Sequence, residues 1–137
     1  MEVRVRYRDT DSTGRIFFSR YLEFFDDAIS EFFREKGVIF STSGSVTLDN
    51  HAKDEIFVVG DCYCRFLHES FYDDILEATL EIEEFREKKV KFLGTFHNKT
   101  RGNICARGNM SLICLQADTH ETTPIPADIL ARLRARQ

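Results

Sequence analysis

Apolar and polar residues alternate from the first positions of the chain. Val3, Val5 and Tyr7 are separated by Arg4, Arg6 and Arg8, which predicts a half-buried first strand. Over residues 19–36 the period changes to that of a helix. Leu22, Phe25, Ile29, Phe32 and Phe33 form an apolar stripe that Phe24 and Ala28 widen, and Gly37 is its natural stop. The stripe covers more of the girth than a surface helix needs, so this helix is expected at the centre of the fold. Residues 41–50, rich in Ser, Thr and Gly, read as a loop. Four strands are then expected, at residues 56–66, 75–85, 89–98 and 104–115. The second alternates most clearly, with Leu76, Ala78, Leu80 and Ile82 on one face and Glu77, Thr79, Glu81 and Glu83 on the other. Residues 98–103 make a hairpin turn between the last two strands. After Pro124 and Pro126 a basic helix is expected over residues 127–136.

One strand, a long helix and four further strands fit an α+β fold in a single domain, residues 1–137. An antiparallel sheet of about five strands would curl around one long central helix. That helix can cover only one face of the sheet. Residues 104–115 are apolar on both faces, with Ala106, Met110 and Leu112 on one and Cys105, Ile113 and Leu115 on the other. The second set needs cover, most simply from another copy of the chain, so a homodimer is expected.

Composition narrows the partners. Thirteen Phe and no Trp among 137 residues predict an interior packed with phenyl rings. A net charge of −4 argues against nucleic acid as a partner, although a local basic cluster could still hold an anionic ligand. Strand-like alternation from Met1 leaves no room for a signal peptide, and no apolar run is long enough to span a membrane, so a cytoplasmic location is expected. Cys62, Cys64, Cys105 and Cys114 lack C-x-x-C spacing and are expected as reduced core thiols rather than metal ligands. His51, His68, His97 and His120 have no metal-ligand spacing and are expected to make surface or polar contacts rather than to catalyse.

The candidate chemistry lies between the first strand and the helix, where Tyr7-Arg8-Asp9-Thr10-Asp11-Ser12-Thr13-Gly14 leads into Phe17-Phe18. A carboxylate beside a helix N-terminus meets partial positive charge and free N–H groups, which keep it ionised and can also bind a developing oxyanion. On the residues alone, Asp-x-Asp before Gly is turn and capping chemistry.

Asp11-x-x-Gly14 followed by Phe17-Phe18 and Tyr21-Leu22-x-Phe24-Phe25-Asp26 resembles the opening signature of the 4-hydroxybenzoyl-CoA thioesterase-like hotdog proteins. The resemblance continues through Phe71-Tyr72-Asp73-Asp74, the turn Arg86-Glu87-Lys88-Lys89 and Ile125-Pro126-x-x-Ile129. It implies a dimeric or tetrameric acyl-CoA thioesterase that uses no cofactor. Asp11 would be nucleophile or general base, and the backbone N–H of Phe18, where relatives often carry Tyr or His, would polarise the thioester carbonyl. Arg86, Lys88 and Lys89 would bind the CoA phosphates, with Glu87 interrupting the run. Tyr21 and Asp26 would line the acyl pocket, Asp26 accepting a hydrogen bond from a hydroxylated ring.

Without the resemblance, residues 86–89 are a solvated hairpin end, Asp26 and Asp27 face solvent, and Asp9 is a turn residue. A carrier-protein thioester is a second possible substrate, and a non-catalytic acyl-thioester-binding protein is the competing class. A dehydratase of the same fold would want a His–acid pair, and no histidine is near Asp11 in sequence.

Overall fold

The computed structural model describes residues 1–135. In chain order its elements are β1 (Glu2–Arg4), a 3-10 turn (Tyr7–Asp9), α1 (Ser19–Glu35), β2 (Val38–Phe40), β3 (Ser45–Leu48), β4 (His51–Phe66), β5 (Ile75–Phe85), β6 (Lys89–Asn98), β7 (Asn103–Gln116) and α2 (Ala127–Arg134). The strands form one antiparallel sheet in the order β1-β5-β6-β7-β4-β3-β2. Its curled face packs on α1, which is the hotdog arrangement that the resemblance implies. No helix is long and apolar enough to cross a membrane, among the described residues. The last expected residue of the closing helix, Arg136, lies outside them.

Phenyl rings fill the space between helix and sheet. Phe25 and Phe33 from α1 and Phe92 and Phe96 from β6 are fully buried. Phe33 meets Phe92 edge-on at 5.7 Å, and Phe25 meets Phe96 at 6.1 Å, the geometry in which the positive edge of one ring faces the negative face of another. Gly94 lets the helix come this close. A Cβ there would lie 2.8 Å from the Phe25 ring.

The sheet has seven strands rather than about five, because Val38–Phe40, where no strand is expected, form β2 and residues 41–50 are not only a loop. The latter contribute β3, in which Val46 and Leu48 are buried while Ser45 and Thr47 alternate with them. Asp49 and Asn50, with φ of 49° and 70°, close a two-residue hairpin into β4, and the Asp-Asn pair tolerates that left-handed geometry. The first strand is shorter than its alternation predicts. It stops at Arg4 because the chain turns at Tyr7–Asp9, which leaves Tyr7 83% exposed instead of inward.

Two cysteine expectations also change. Cys105 needs no second copy to cover it. The register between β6 and β7 slips between Phe96 and His97, so Cys105 is the extra residue of a bulge and turns inward beside Ala106. Cys62 is exposed rather than in the core, because it lies where β4 has lost one neighbour. The register of β3 on β4 ends at Ile56, so residues 57–66 of β4 pair only with β7. Val59 and Tyr63 are exposed along this open edge.

Gly94→Ala should lower stability by roughly 1–3 kcal/mol, because the buried Phe25 ring has no free space to retreat into. Chemical denaturation would measure the loss, and an unchanged midpoint would mean that the ring relaxes without cost.

Candidate active site

Asp9 and Asp11 sit two residues apart and do different work. The Asp9 carboxylate is buried and accepts a hydrogen bond from the Arg6 N–H at 2.7 Å, with Arg20 Nε 3.5 Å away. It closes the 3-10 turn and is the structural residue expected. Asp11 is exposed. Its N–H donates to the Arg15 carbonyl at 2.9 Å, and Gly14, at φ 77°, donates back to the Asp11 carbonyl at 3.1 Å. The Asp11 Oδ1 accepts the Thr13 hydroxyl at 2.5 Å and the Thr13 N–H at 2.8 Å. These two bonds, with the Arg15 charge, hold the carboxyl below the ordinary carboxylate range.

The turn is fastened at both ends. Phe17 N–H donates to the Asp9 carbonyl at 2.7 Å and Ile16 N–H to the Ser70 carbonyl at 2.9 Å. The chain then enters α1 with Phe18 already in helical conformation. The N–H of Phe18 finds no acceptor among the described residues, as the first donors of a helix do not. A cavity of about 330 Å³ opens at this point, lined by Asp11, Phe18 and Tyr21 and by Phe66, His68 and Ser70 across from them. Phe66 lies against Tyr21 at 5.5 Å and edge-on to Phe18 at 6.3 Å. The result is a recess lined largely by apolar side chains, with the Asp11 carboxylate and the Arg15–Glu69 ion pair also on its lining.

The far wall rests on a buried polar network. Asp74 Oδ2 accepts the Phe71 N–H (2.9 Å), Asn98 Nδ2 (2.9 Å) and Arg101 Nε (2.7 Å). Asn98 Nδ2 also lies 3.1 Å from Ser70 Oγ, and that hydroxyl accepts the buried Tyr21 hydroxyl at 3.2 Å. Burial pushes the Asp74 carboxyl up, but the hydrogen bonds from Arg101, Asn98 and the Phe71 N–H outweigh it and leave the pKa lowered. Burial raises the Tyr21 phenol, which therefore stays protonated as a donor. Arg101, itself part of the network, and Arg15 both pack on the Phe71 ring, at 4.3 and 5.3 Å.

Of the residues singled out in the sequence, the structure brings together Asp11, Phe18 and Tyr21. Asp26 is one helical turn and more away and lines a separate cavity of about 260 Å³ with Phe40, Phe57, Val59 and Leu112. Its side chain is exposed overall, yet partial desolvation and the neighbouring Asp27 charge raise its pKa. Arg86, Lys88 and Lys89 lie at the start of β6, whereas the Asp11 cavity adjoins its end near Phe96. Seven residues of strand, about 23 Å, separate them within one chain. Arg86 is paired with Glu84 at 2.6 Å.

His68, expected only to make surface or polar contacts, and Ser70, which the sequence does not single out, also line the cavity. They reach the site because the loop after β4 folds back on β7, where Leu67 and His68 donate to the Cys105 carbonyl at 2.9 and 3.2 Å. The only local signal was that Phe71-Tyr72-Asp73-Asp74 follows directly.

A family model for the thioesterase-like superfamily matches residues 5–133. The chain is 33% identical over 81 residues to a putative esterase of Aquifex aeolicus (strain VF5), a match that spans 59% of this chain and only 58% of that relative's length. It is 24% identical over 135 residues to a 1,4-dihydroxy-2-naphthoyl-CoA hydrolase of Thermosynechococcus vestitus, covering 96% of this chain and 85% of the relative. The crystal structure of a hypothetical protein from Aquifex aeolicus superposes with a TM-score of 0.83 at 25% identity, over 98% of both chains. The chain belongs to the thioesterase-like superfamily.

Because the Asp74 pKa is depressed, its contribution to stability is present above the unfolded-state value and is lost as pH falls through the lower folded one. Asp74→Asn should cost roughly 1–3 kcal/mol at neutral pH, and the variant should lose part of the wild-type destabilisation in acid. Denaturation midpoints across pH 3–7 would check both, and parallel curves for the two proteins would contradict the assignment.

Proposed function

We propose, from membership of the thioesterase-like superfamily and the chemistry of the Asp11 cavity, that this protein hydrolyses an acyl-CoA thioester to the free acid and CoA. The observation that carries the reading is a carboxylate held ionised by Thr13 on the same cavity as an unpartnered N–H at the start of α1. Thioesters need little more. The thiolate leaves readily, so an attacking oxygen and a donor for the carbonyl oxygen suffice.

As a base, Asp11 takes a proton from water while the water oxygen bonds to the carbonyl carbon. As a nucleophile, its own oxygen makes that bond and gives an anhydride that water then opens. In either route the carbonyl oxygen becomes negative against the Phe18 N–H. The C–S bond then breaks and the sulfur leaves as thiolate. It gains the proton that Asp11 took from water in the first route, and one from the water that opens the anhydride in the second. One such preorganised donor is worth about 10²–10³ in rate.

The open edge of β4 supports a homodimer as the working unit. Antiparallel pairing of residues 57–66 with a second copy satisfies the unpaired backbone groups. It also sets the Phe66 end of one copy beside the Phe57 and Val59 end of the other. The Asp11 cavity of one chain then adjoins the Asp26 cavity of the second copy, and together they make room for an acyl group. A partly desolvated carboxyl beside Phe40 and Phe57 suits a hydroxylated ring. In this assembly the Arg86 turn reaches a bound CoA only from another copy.

His68 on the same cavity as Asp11 is the pair that a dehydratase would use, which is the second reading. Asp11→Asn should abolish thiol release from acyl-CoA esters while leaving the Tm almost unchanged. His68→Asn should leave turnover within a few fold. A free-thiol assay with short, long and hydroxyaryl acyl-CoAs decides. Release that survives Asp11→Asn sinks the proposal, and equal losses in the two variants would favour the His–acid pair.

A further inference from the structure

On the face of the sheet turned away from α1, Arg65 of β4 and Arg107 of β7 are direct cross-strand partners. Residues so placed share a face with Cβ atoms roughly 4.5–5.5 Å apart, and like charges there repel. Both side chains are exposed. Several arginines around the site meet a carboxylate, Arg4 with Asp73, Arg15 with Glu69, Arg20 with Glu23 and Arg101 with Asp74, whereas Arg6 and Arg8 of the turn do not, among the described residues. Among the same residues, Arg65 and Arg107 have no such partner. The strand ladder thus sets two unneutralised arginines opposite each other on one exposed face.

The neighbouring pair on that face is Tyr63 and Asn109, with the Tyr63 ring 58% exposed. The surface therefore offers an aromatic plane and an amide next to two planar cations. That combination fits a phosphorylated nucleoside, with phosphate oxygens on the guanidiniums and the base against the ring. The location is equally specific. From Arg65 the chain runs straight into Phe66, Leu67 and His68, which line the Asp11 cavity. Three residues of extended chain cover about 10 Å, so a flexible ligand that passes around the end of β4 from one face to the other can occupy both places.

We propose that Arg65 and Arg107, with Tyr63 beside them, bind the phosphorylated adenosine end of the acyl-CoA whose thioester lies in the Asp11 cavity. This rests on the thioesterase reading above and differs from it in placing the phosphate contacts on the same chain. The Arg86 turn is far from that cavity within one chain, and Arg86 already holds Glu84.

The test is the full-length Arg65→Gln/Arg107→Gln double variant, beside wild type and Arg86→Gln/Lys88→Gln. KM and kcat are measured for an acyl-CoA and for the same acyl group on pantetheine, which lacks the nucleotide. Direct binding of adenosine 3′,5′-bisphosphate and the oligomeric state are measured in parallel. The double variant should raise KM for the CoA ester roughly 10–100-fold with kcat unchanged. It should leave the pantetheine ester unaffected and lose bisphosphate binding. An unchanged KM, or a loss confined to the Arg86/Lys88 variant, overturns the proposal. A changed oligomeric state with KM intact also overturns it and makes the pair a contact between copies. If wild type cleaves neither ester, the thioesterase reading fails, and the bisphosphate titration still decides the nucleotide site.

Discussion

The Asp74 carboxylate holds the site together. It is buried, it is charged, and it accepts hydrogen bonds from three directions: the loop at Phe71, the end of β6 at Asn98 and the hairpin at Arg101. Such a group is tolerated in a protein interior only when its bonds are made. Satisfying it fixes the chain from Ser70 to Asp74 in one place. Ser70 then takes the Tyr21 hydroxyl, which sets the start of α1, and its carbonyl takes the Ile16 N–H, which sets the turn carrying Asp11. Helix, loop and turn are therefore referred to one buried charge.

The same chain handles its acidic residues in contrasting ways. Asp9 and Asp74 are buried and act through the backbone they fasten. Asp11 is left in the open, with one oxygen engaged by Thr13 and the other directed to no protein donor among the described residues. A turn residue and a reacting carboxylate are often treated as alternatives, but in the proposed function one group serves as both. The Thr13 bonds that shape the turn also keep the charge on. Asp26 has the opposite tendency, raised by partial desolvation, so two carboxyls on one helix-and-turn unit have pKa values pushed apart.

Elements with one clean face were legible in the sequence. β5 and β6 fall at the expected residues because β6 alternates throughout and β5 alternates as far as Ile82, where a bulge shifts its register. α1 ends as expected because Gly37 at φ 81° can take the left-handed turn. What was missed depends on long-range structure. β3 hides its two apolar residues among Ser, Thr and Gly, and only their burial against the core makes it a strand. Tyr7 follows the alternation of β1, but the Asp9 cap bends the chain first. Cys105 changes face because of a bulge that no local pattern announces. In the site, Asp11, Phe18 and Tyr21 lie on contiguous sequence and could be found together. His68 and Ser70 arrive from some fifty residues away, and the Arg65–Arg107 pair exists only through strand register.

The pH dependence of kcat/KM, measured for wild type and Thr13→Val, tests most directly whether the Thr13-held carboxylate is the reacting group. With Asp11 depressed by Thr13, activity should stay flat through neutral and mildly acidic pH and fall only below the ordinary carboxylate range. Thr13→Val should move that acid limb upward. An acid limb unmoved by Thr13→Val would place the essential proton on another group and contradict the role given to Asp11.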